Sequence, residues 1–262
     1  MSVTAANAAG TFCWPELSTA DVPAAKKFYS TLFNWQPDDS PMPQGGVYTM
    51  LKLGGKDVGA MSPLLEEQKK TGVPPHWMSY VAVKSADETS KKATSLGARL
   101  LAPPFDVMDA GRMAVIQDPT GAVFSIWQAK GHPGATRINE VGALCWTELY
   151  TRDPKKATAF YTALFGWKPK PFEGSPMPYT VFQLPGNERG LGGMVHMTDE
   201  MPGVPPHWLP YFMVEDTDKI VASAGKLGGT VIMAATDVPT VGRLAILKDP
   251  QGAAFAVIKT AM

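Results

Sequence analysis

A chain of 262 residues, 45% hydrophobic and 18% charged, carries enough apolar material for a substantial core. Its 24 basic and 24 acidic residues cancel, and no Lys/Arg-rich run stands out, so neither nucleic acid nor an anionic membrane has an electrostatic claim on it. No apolar run approaches the roughly 20 residues that span a bilayer. Residues 1–10 are small and uncharged in their side chains, without the basic and apolar regions of a signal peptide, so a cytoplasmic protein is expected.

Residues 11–18 alternate and carry aromatics, as a half-buried strand does. Asp21 is placed to cap a helix, with Pro23 in its first turn, where a missing N–H costs nothing. Ala24, Phe28 and Leu32, flanked by Ala25, Tyr29 and Phe33, give that helix one apolar face, and Asn34 ends it. Residues 38–46 read as a Pro/Gly-rich loop, 47–53 and 58–61 as strands joined at Gly54-Gly55, and 62–75 as a polar loop. Then the pattern restarts: a strand over 77–83, a helix over 87–96 stopped by Gly97, a short strand over 99–101 and another over 111–117. Asp118-Pro-Thr-Gly121 has the chemistry of a tight turn, and 122–128 is a last strand. The unit is βαβββ, written twice within residues 11–129.

Residues 130–141 read as a linker, after which the whole text repeats. Cys13 recurs as Cys145 and Trp35 as Trp167 at one spacing; His76-Trp77 recurs as His207-Trp208, and the Asp118 turn as Asp249-Pro-Gln-Gly252. The expected organisation is therefore a tail over 1–10, a first domain over 11–129, the linker, and a second domain over 142–260. The fold class is α+β. Cys13 and Cys145 are expected to be two separate buried thiols.

Four βαβββ modules in two halves resemble the vicinal oxygen chelate superfamily of glyoxalases, bleomycin-resistance proteins and extradiol dioxygenases, most closely its tandem glyoxalase-like members of the actinobacterial type. The likeness rests on Asp21, Phe28-Tyr29, Leu32-Phe33 and Trp35, on Asp153, Phe160-Tyr161, Leu164-Phe165 and Gly166-Trp167, and on the two Asp-Pro-x-Gly turns. It implies curved mixed sheets that form cups with the chemistry inside. Which modules share a cup, first with second or first with fourth, is left open, as is a monomer with dimer-like halves against a homodimer.

The family's ligand positions, carried over by strand alternation, fall on Trp14, Met61, Met78 and Ser125 in one half and on Trp146, Met194, Leu209 and Ala256 in the other. None is a donor that a hard or borderline cation selects, so the usual metal is not expected and no cofactor is predicted. A displaced divalent-metal site built from Glu16, His76 and their counterparts stays open. Glu16 and Glu148 share the inward face of Trp14 and Trp146. Each is either a general base raised by an aromatic surrounding, or a structural group paired with Arg112, with Arg243 or with backbone. His76 and His207 either anchor loops or line the site. Tyr48, Tyr80, Tyr179, Tyr211 and Trp127, with the inward Ser125, complete the lining. Two functions follow as expectations: binding of a small organic molecule in aromatic-lined cups without the metal, or a lyase or isomerase acting on a small α-oxo aldehyde with Glu16 or Glu148 as proton shuttle. Extradiol dioxygenase chemistry needs two His and a carboxylate that the sequence does not offer at those places.

Overall fold

A computed structural model of the chain describes residues 8–42, 45–174, 178–187, 189–199 and 201–261. Most of the expected tail, residues 1–7, lies outside the described residues. The first half runs β1 (Phe12–Thr19), α1 (Val22–Phe33), β2 (Gln36–Pro41), β3 (Val47–Leu53), β4 (Lys56–Pro63) and α2 (Glu66–Lys70). It continues with β5 (His76–Ala82), α3 (Ala86–Ser95), β6 (Arg99–Val107), β7 (Gly111–Gln117) and β8 (Val123–Ala129). The second half repeats it as β9 (Leu144–Thr151), α4 (Pro154–Phe165), β10 (Lys168–Pro171), β11 (Tyr179–Gln183) and β12 (Gly190–His196). It closes with β13 (His207–Met213), α5 (Thr217–Lys226), β14 (Thr230–Val238), β15 (Gly242–Lys248) and β16 (Ala254–Thr260). Each module is βαβββ, as the repeat requires.

The strands form two eight-stranded mixed sheets, ordered β2-β3-β4-β1-β5-β8-β7-β6 and β10-β11-β12-β9-β13-β16-β15-β14. The central pairs β1–β4 and β5–β8 are parallel, and the outer hairpins are antiparallel. Among the described residues no helix is long and apolar enough to cross a membrane.

The helix punctuation follows the sequence. Asp21 accepts a hydrogen bond from the Ala24 N–H at 3.0 Å, and Asn34 closes α1 in the left-handed region. Three elements depart from expectation. The loop over 38–46 begins with a strand, β2, whose six residues are all exposed and which is held by backbone pairing to β3. The polar loop over 62–75 contains the short helix α2, and the strand expected over 99–101 runs on to Val107 through two register shifts.

By contact density the chain divides into two compact units that do not follow the halves. The first gathers residues up to Trp14, Ser79–Gly134 and Trp146–Leu209; the second gathers Pro15–Met78, Ala135–Cys145 and the chain from Pro210. The second module thus groups with the third, and the first with the fourth. The residues that anchor these groupings are those of the repeated motifs. In the first unit the Tyr161 hydroxyl donates to Asp118 at 2.7 Å and accepts from the Trp208 indole at 2.9 Å, while Trp167 donates to the Gly10 carbonyl at 2.8 Å. In the second, Tyr29 donates to Asp249 at 3.0 Å and accepts from Trp77 at 3.0 Å, while Trp35 donates to the Gly142 carbonyl at 2.7 Å. Each aspartate's other oxygen accepts backbone N–H groups of its own turn, from Thr120 and Ala122 or from Gln251 and Ala253. Only a carboxylate has the acceptor capacity for both tasks. Burial raises the Asp249 carboxyl above its ordinary value, and burial next to the carboxylates pushes the Tyr29 and Tyr161 phenols well up.

The expected linker is a packed segment: Thr136 donates to the Asp57 carbonyl, and Arg137 to the Leu53 carbonyl and the Glu140 carboxylate. Both cysteines are free, but only Cys13 is buried, with its thiol pushed up to about 12 by burial; Cys145 is half-buried.

Candidate active site

Register decides which side chains share a face. β1 pairs Glu16 with Ala60, Leu17 with Met61 and Ser18 with Ser62. Met61 therefore lies with Leu17 on the fully buried helix side, and Ala60 and Ser62 flank Glu16. In the second half Met194 pairs with Leu149, leaving Gly193 opposite Glu148 and Val195 opposite Tyr150. Both methionines leave the ligand positions expected of them: an offset of one residue across a sheet moves a side chain to the other face.

In the first unit, β9 presents Trp146, Glu148 and Tyr150 in alternation. The Trp146 indole donates to the Tyr179 hydroxyl at 2.9 Å, and that hydroxyl donates to Glu148 at 2.6 Å. Glu148 is 6% exposed, and burial followed by the neighbouring carboxylate charge raises the Tyr179 phenol well above its ordinary value. The phenol is thus a proton-bearing donor, and the carboxylate is fixed as its acceptor. Room for this chain comes from a glycine: a Cβ on Gly193 would stand 1.8 Å from the Tyr179 hydroxyl oxygen. Gly190 and Gly193 are the bed on which the Trp146 and Tyr179 rings lie.

The repeat in the second unit is a variation. Tyr48 donates to Glu16 at 3.0 Å, and Ser62 donates to the other carboxylate oxygen at 3.4 Å. Neither Arg112 nor Arg243 is the partner of these glutamates among the described residues. Arg112 is taken by Asp87 and Asp106, and Arg243 by Asp218 and Asp237, because strand register sets each arginine opposite an aspartate.

His76 and His207 each donate Nδ1–H to a carbonyl two residues back, Pro74 at 2.8 Å and Pro205 at 2.9 Å. A carbonyl only accepts, so Nε2 carries the lone pair of the neutral ring. His207 also stacks on Tyr150, with centroids 5.0 Å apart and planes 3° apart. The loop before His207 is tied down by Arg152, which donates to the carbonyls of Thr198, Met201 and Val204.

Burial lowers both histidines, so the folded rings titrate below the unfolded value of about 6.5. As pH falls the unfolded chain takes up protons first; stability held above about pH 6.5 is lost on the way down through the depressed folded values. A His76→Asn/His207→Asn protein keeps an N–H donor for each carbonyl but cannot titrate. Its urea midpoint is expected to fall less steeply than that of the parent between pH 6.5 and 5. Equal slopes would show that these rings are not the titrating groups.

The remaining lining lies elsewhere in the first unit. Tyr80 and Ser125 are register partners on β5 and β8, and Trp127 follows on the same face. Trp14 meets the edge of His132 at 4.8 Å, and the Trp127 indole donates to the His132 carbonyl at 2.9 Å. His132 was not expected in the site: it belongs to the segment read as linker, and only its position just after the Trp127 strand hints at a role. Tyr211, in the second unit, pairs in register with Ala256.

Among the described residues no three His, Cys, Asp or Glu side chains gather to hold a metal ion. The carboxylates are engaged by phenols and the histidine Nδ1 atoms by carbonyls. At the positions carried over by alternation the side chains are Trp, Met, Leu, Ser and Ala, which are not the oxygen or nitrogen donors a hard divalent ion selects.

Tandem βαβββ modules closing into two mixed eight-stranded sheets define the vicinal oxygen chelate fold. The chain belongs to the glyoxalase/bleomycin resistance protein/dioxygenase superfamily, whose model matches residues 11–126 and 142–257. It is 46% identical over 254 residues to "Putative glyoxylase CFP32" of Mycobacterium bovis, spanning 96% of this chain and 95% of that one. It is 33% identical to the anthracycline biosynthesis protein DauV of Streptomyces sp. (strain C5), over 96% and 94% of the two chains. Among solved structures, the Mn(II)-bound glyoxalase from Novosphingobium aromaticivorans superposes with a TM-score of 0.64 at 14% identity, over 96% of this chain and 82% of that one, a likeness of fold.

Proposed function

We propose that this cytoplasmic protein binds a small, planar organic molecule against aromatic faces, and that it does so without a divalent metal. The observation that carries the reading is the substitution of chemistry at the inward strand positions. Where a metal-binding member would present oxygen or nitrogen donors, this chain presents Trp14 and Trp146, with Glu148 committed to Tyr179 at 2.6 Å. Such a wall offers stacking area together with a few fixed polar atoms, the usual composition of an organic-ligand site. A relative named for anthracycline biosynthesis is in keeping with an organic ligand. The partner is a small molecule, not nucleic acid or a membrane.

Thermal unfolding with a panel of planar aromatic compounds, each with and without EDTA, tests this. At least one compound should raise the midpoint equally in both buffers, as a ligand selective for the native state must. No shift from any compound, or a shift abolished by EDTA and restored by Mn²⁺, overturns it.

One observation supports a second reading. The buried Glu148 accepts from the half-buried Tyr179 hydroxyl, an acid–base pair, and a relative at 46% identity is named "Putative glyoxylase CFP32". In a lyase or isomerase acting on the thiol adduct of an α-oxo aldehyde, Glu148 takes the proton from the adduct carbon and returns it to the adjacent carbon, with no net change in redox state. Methylglyoxal with thiol, assayed with added Ni²⁺, Zn²⁺ or Mn²⁺, then gives turnover that Glu148→Gln abolishes. Absence of turnover in the parent protein removes this reading and leaves the first.

A further inference from the structure

The two sheets end in four edge strands, and an edge strand offers its outward N–H and C=O groups to any chain that can lie alongside. Three of the four are blunted. β2 is Gln36-Pro-Asp-Asp-Ser-Pro41 and β10 is Lys168-Pro-Lys-Pro171, where proline rings withhold donors and like charges repel an incoming strand. β6 carries Pro103-Pro104, with Arg99 and Asp106 toward its ends. β14 differs. Its residues, Thr230-Val-Ile-Met-Ala-Ala-Thr-Asp-Val238, include no proline and a single charge, Asp237.

Register makes the contrast between β6 and β14 exact in position. The shifts against the inner neighbour fall at matching places, between Ala102 and Phe105 in β6 and between Met233 and Thr236 in β14. The residues stepped over are Pro103-Pro104 in the first strand and Ala234-Ala235 in the second. Both edges therefore share the twist that a bulge imparts, but only one has rings to close it. Val231 and Ile232 are 42% and 51% exposed, and with Thr230, Thr236 and Val238 they give β14 the β-branched composition of a well-paired strand. Among the described residues, 230–237 make no backbone-to-backbone hydrogen bond outside the ladder with β15. The Thr236 hydroxyl donates to the Ala234 carbonyl, which keeps a second lone pair.

The charges beside this edge select its partner. Asp218 and Asp237 sit with Arg243 at the Val238 end, two carboxylates to one guanidinium. At the other end Lys226 closes α5 just before Thr230, and Lys248 stands opposite Thr230 in register. Among the described residues no ion pair engages either lysine. A second copy laid antiparallel brings the acidic end of each edge to the basic end of the other, whereas a parallel copy sets like on like. We propose that β14 is an interaction edge for a second copy of this chain, the two β14 strands pairing antiparallel about a two-fold axis. Such a contact is self-complementary, since each copy supplies the strand that it receives. The exposed Val231 and Ile232 side chains then gain cross-strand neighbours.

Sedimentation equilibrium of the full chain from about 10 to 500 µM reads the association across the Kd range of a modest interface. The parent is expected to move from the mass of one chain toward that of two as concentration rises. Ala234→Pro/Ala235→Pro gives β14 the rings that β6 carries at the same bulge, where the fold accepts them. It should raise the dimer Kd at least about tenfold. Ile232→Lys alters one exposed side chain without touching the backbone and is expected to act in the same direction, which keeps the test open if the proline variant does not fold. Thermal midpoints establish which variants are folded. A parent that keeps the mass of one chain throughout overturns the proposal and leaves the edge to a strand of another protein. A dimer whose Kd a folded variant leaves unchanged overturns it too, because its contact lies elsewhere.

Discussion

Asp118→Ala is expected to lose about 3–5 kcal/mol of stability, a large share of what a domain possesses. The change strands the Tyr161 hydroxyl and the Ala122 N–H in buried surroundings and also takes the acceptor from the half-buried Thr120 N–H; Asp118 itself is 3% exposed. Tyr161→Phe removes the bond to Asp118 and the acceptor of the Trp208 indole but leaves the turn intact, so it should cost about 2–4 kcal/mol. Urea midpoints of the two variants and of their combination separate the contributions. Because the residues touch, the double variant is expected to fall short of the sum. A cost below about 1 kcal/mol for Asp118→Ala would show that the aspartate does not join the second module to the third.

Gly193→Ala has the second largest expected effect, and it acts on the site rather than the core. The added carbon meets the Tyr179 oxygen at 1.8 Å and the phenol ring carbon at 2.3 Å, so the whole ring must leave. With it go the bond to Glu148 and the bond from Trp146. Overpacking and the two lost hydrogen bonds together suggest about 2–4 kcal/mol. The diagnostic measurement repeats Gly193→Ala in a Tyr179→Ala background, where the clash has no second party. There the substitution should cost well under 1 kcal/mol; an undiminished cost would mean that the strand itself, rather than the tyrosine, requires glycine. The first half carries out part of this experiment naturally: Ala60 stands opposite Glu16 where Gly193 stands opposite Glu148, and there Tyr48 reaches its glutamate at the longer distance of 3.0 Å.

What could be read from the sequence was whatever is local or periodic. Asp21, Pro23 and Asn34 mark the limits of α1 by chemistry that acts within a few residues, and the apolar positions at 28, 29, 32 and 33 are its buried face. β2 was hidden because Pro37, Asp38, Asp39 and Pro41 have the composition of a loop; its pairing with β3 is backbone chemistry that composition does not encode. α2 has no buried residue and so no periodicity to detect. At the site, alternation placed Trp14, Glu16, Trp146 and Glu148 on common faces. It failed for Met61 and Met194, because their register relative to β1 and β9 is set by turns and bulges several residues away. The partners of the glutamates are phenols from neighbouring hairpins, and nothing in spacing along the chain distinguishes them from the arginines. His132 lay in a segment whose Gly and Pro content signals a connection, while its carbonyl accepts from Trp127 and its ring meets Trp14.

The pairing of first module with fourth has a consequence in time. Tyr29 and its acceptor Asp249 are 220 residues apart, whereas Tyr161 and Asp118 are separated by only 43. At roughly 5–20 residues per second on the ribosome, the later pair can close within about ten seconds, while Tyr29 waits about ten to forty-five. During that interval Phe28, Tyr29 and Phe33 on α1 have no fourth module to cover them. The first unit can therefore assemble earlier in synthesis than the second, and the aromatic face of α1 stays without its partner module for that interval.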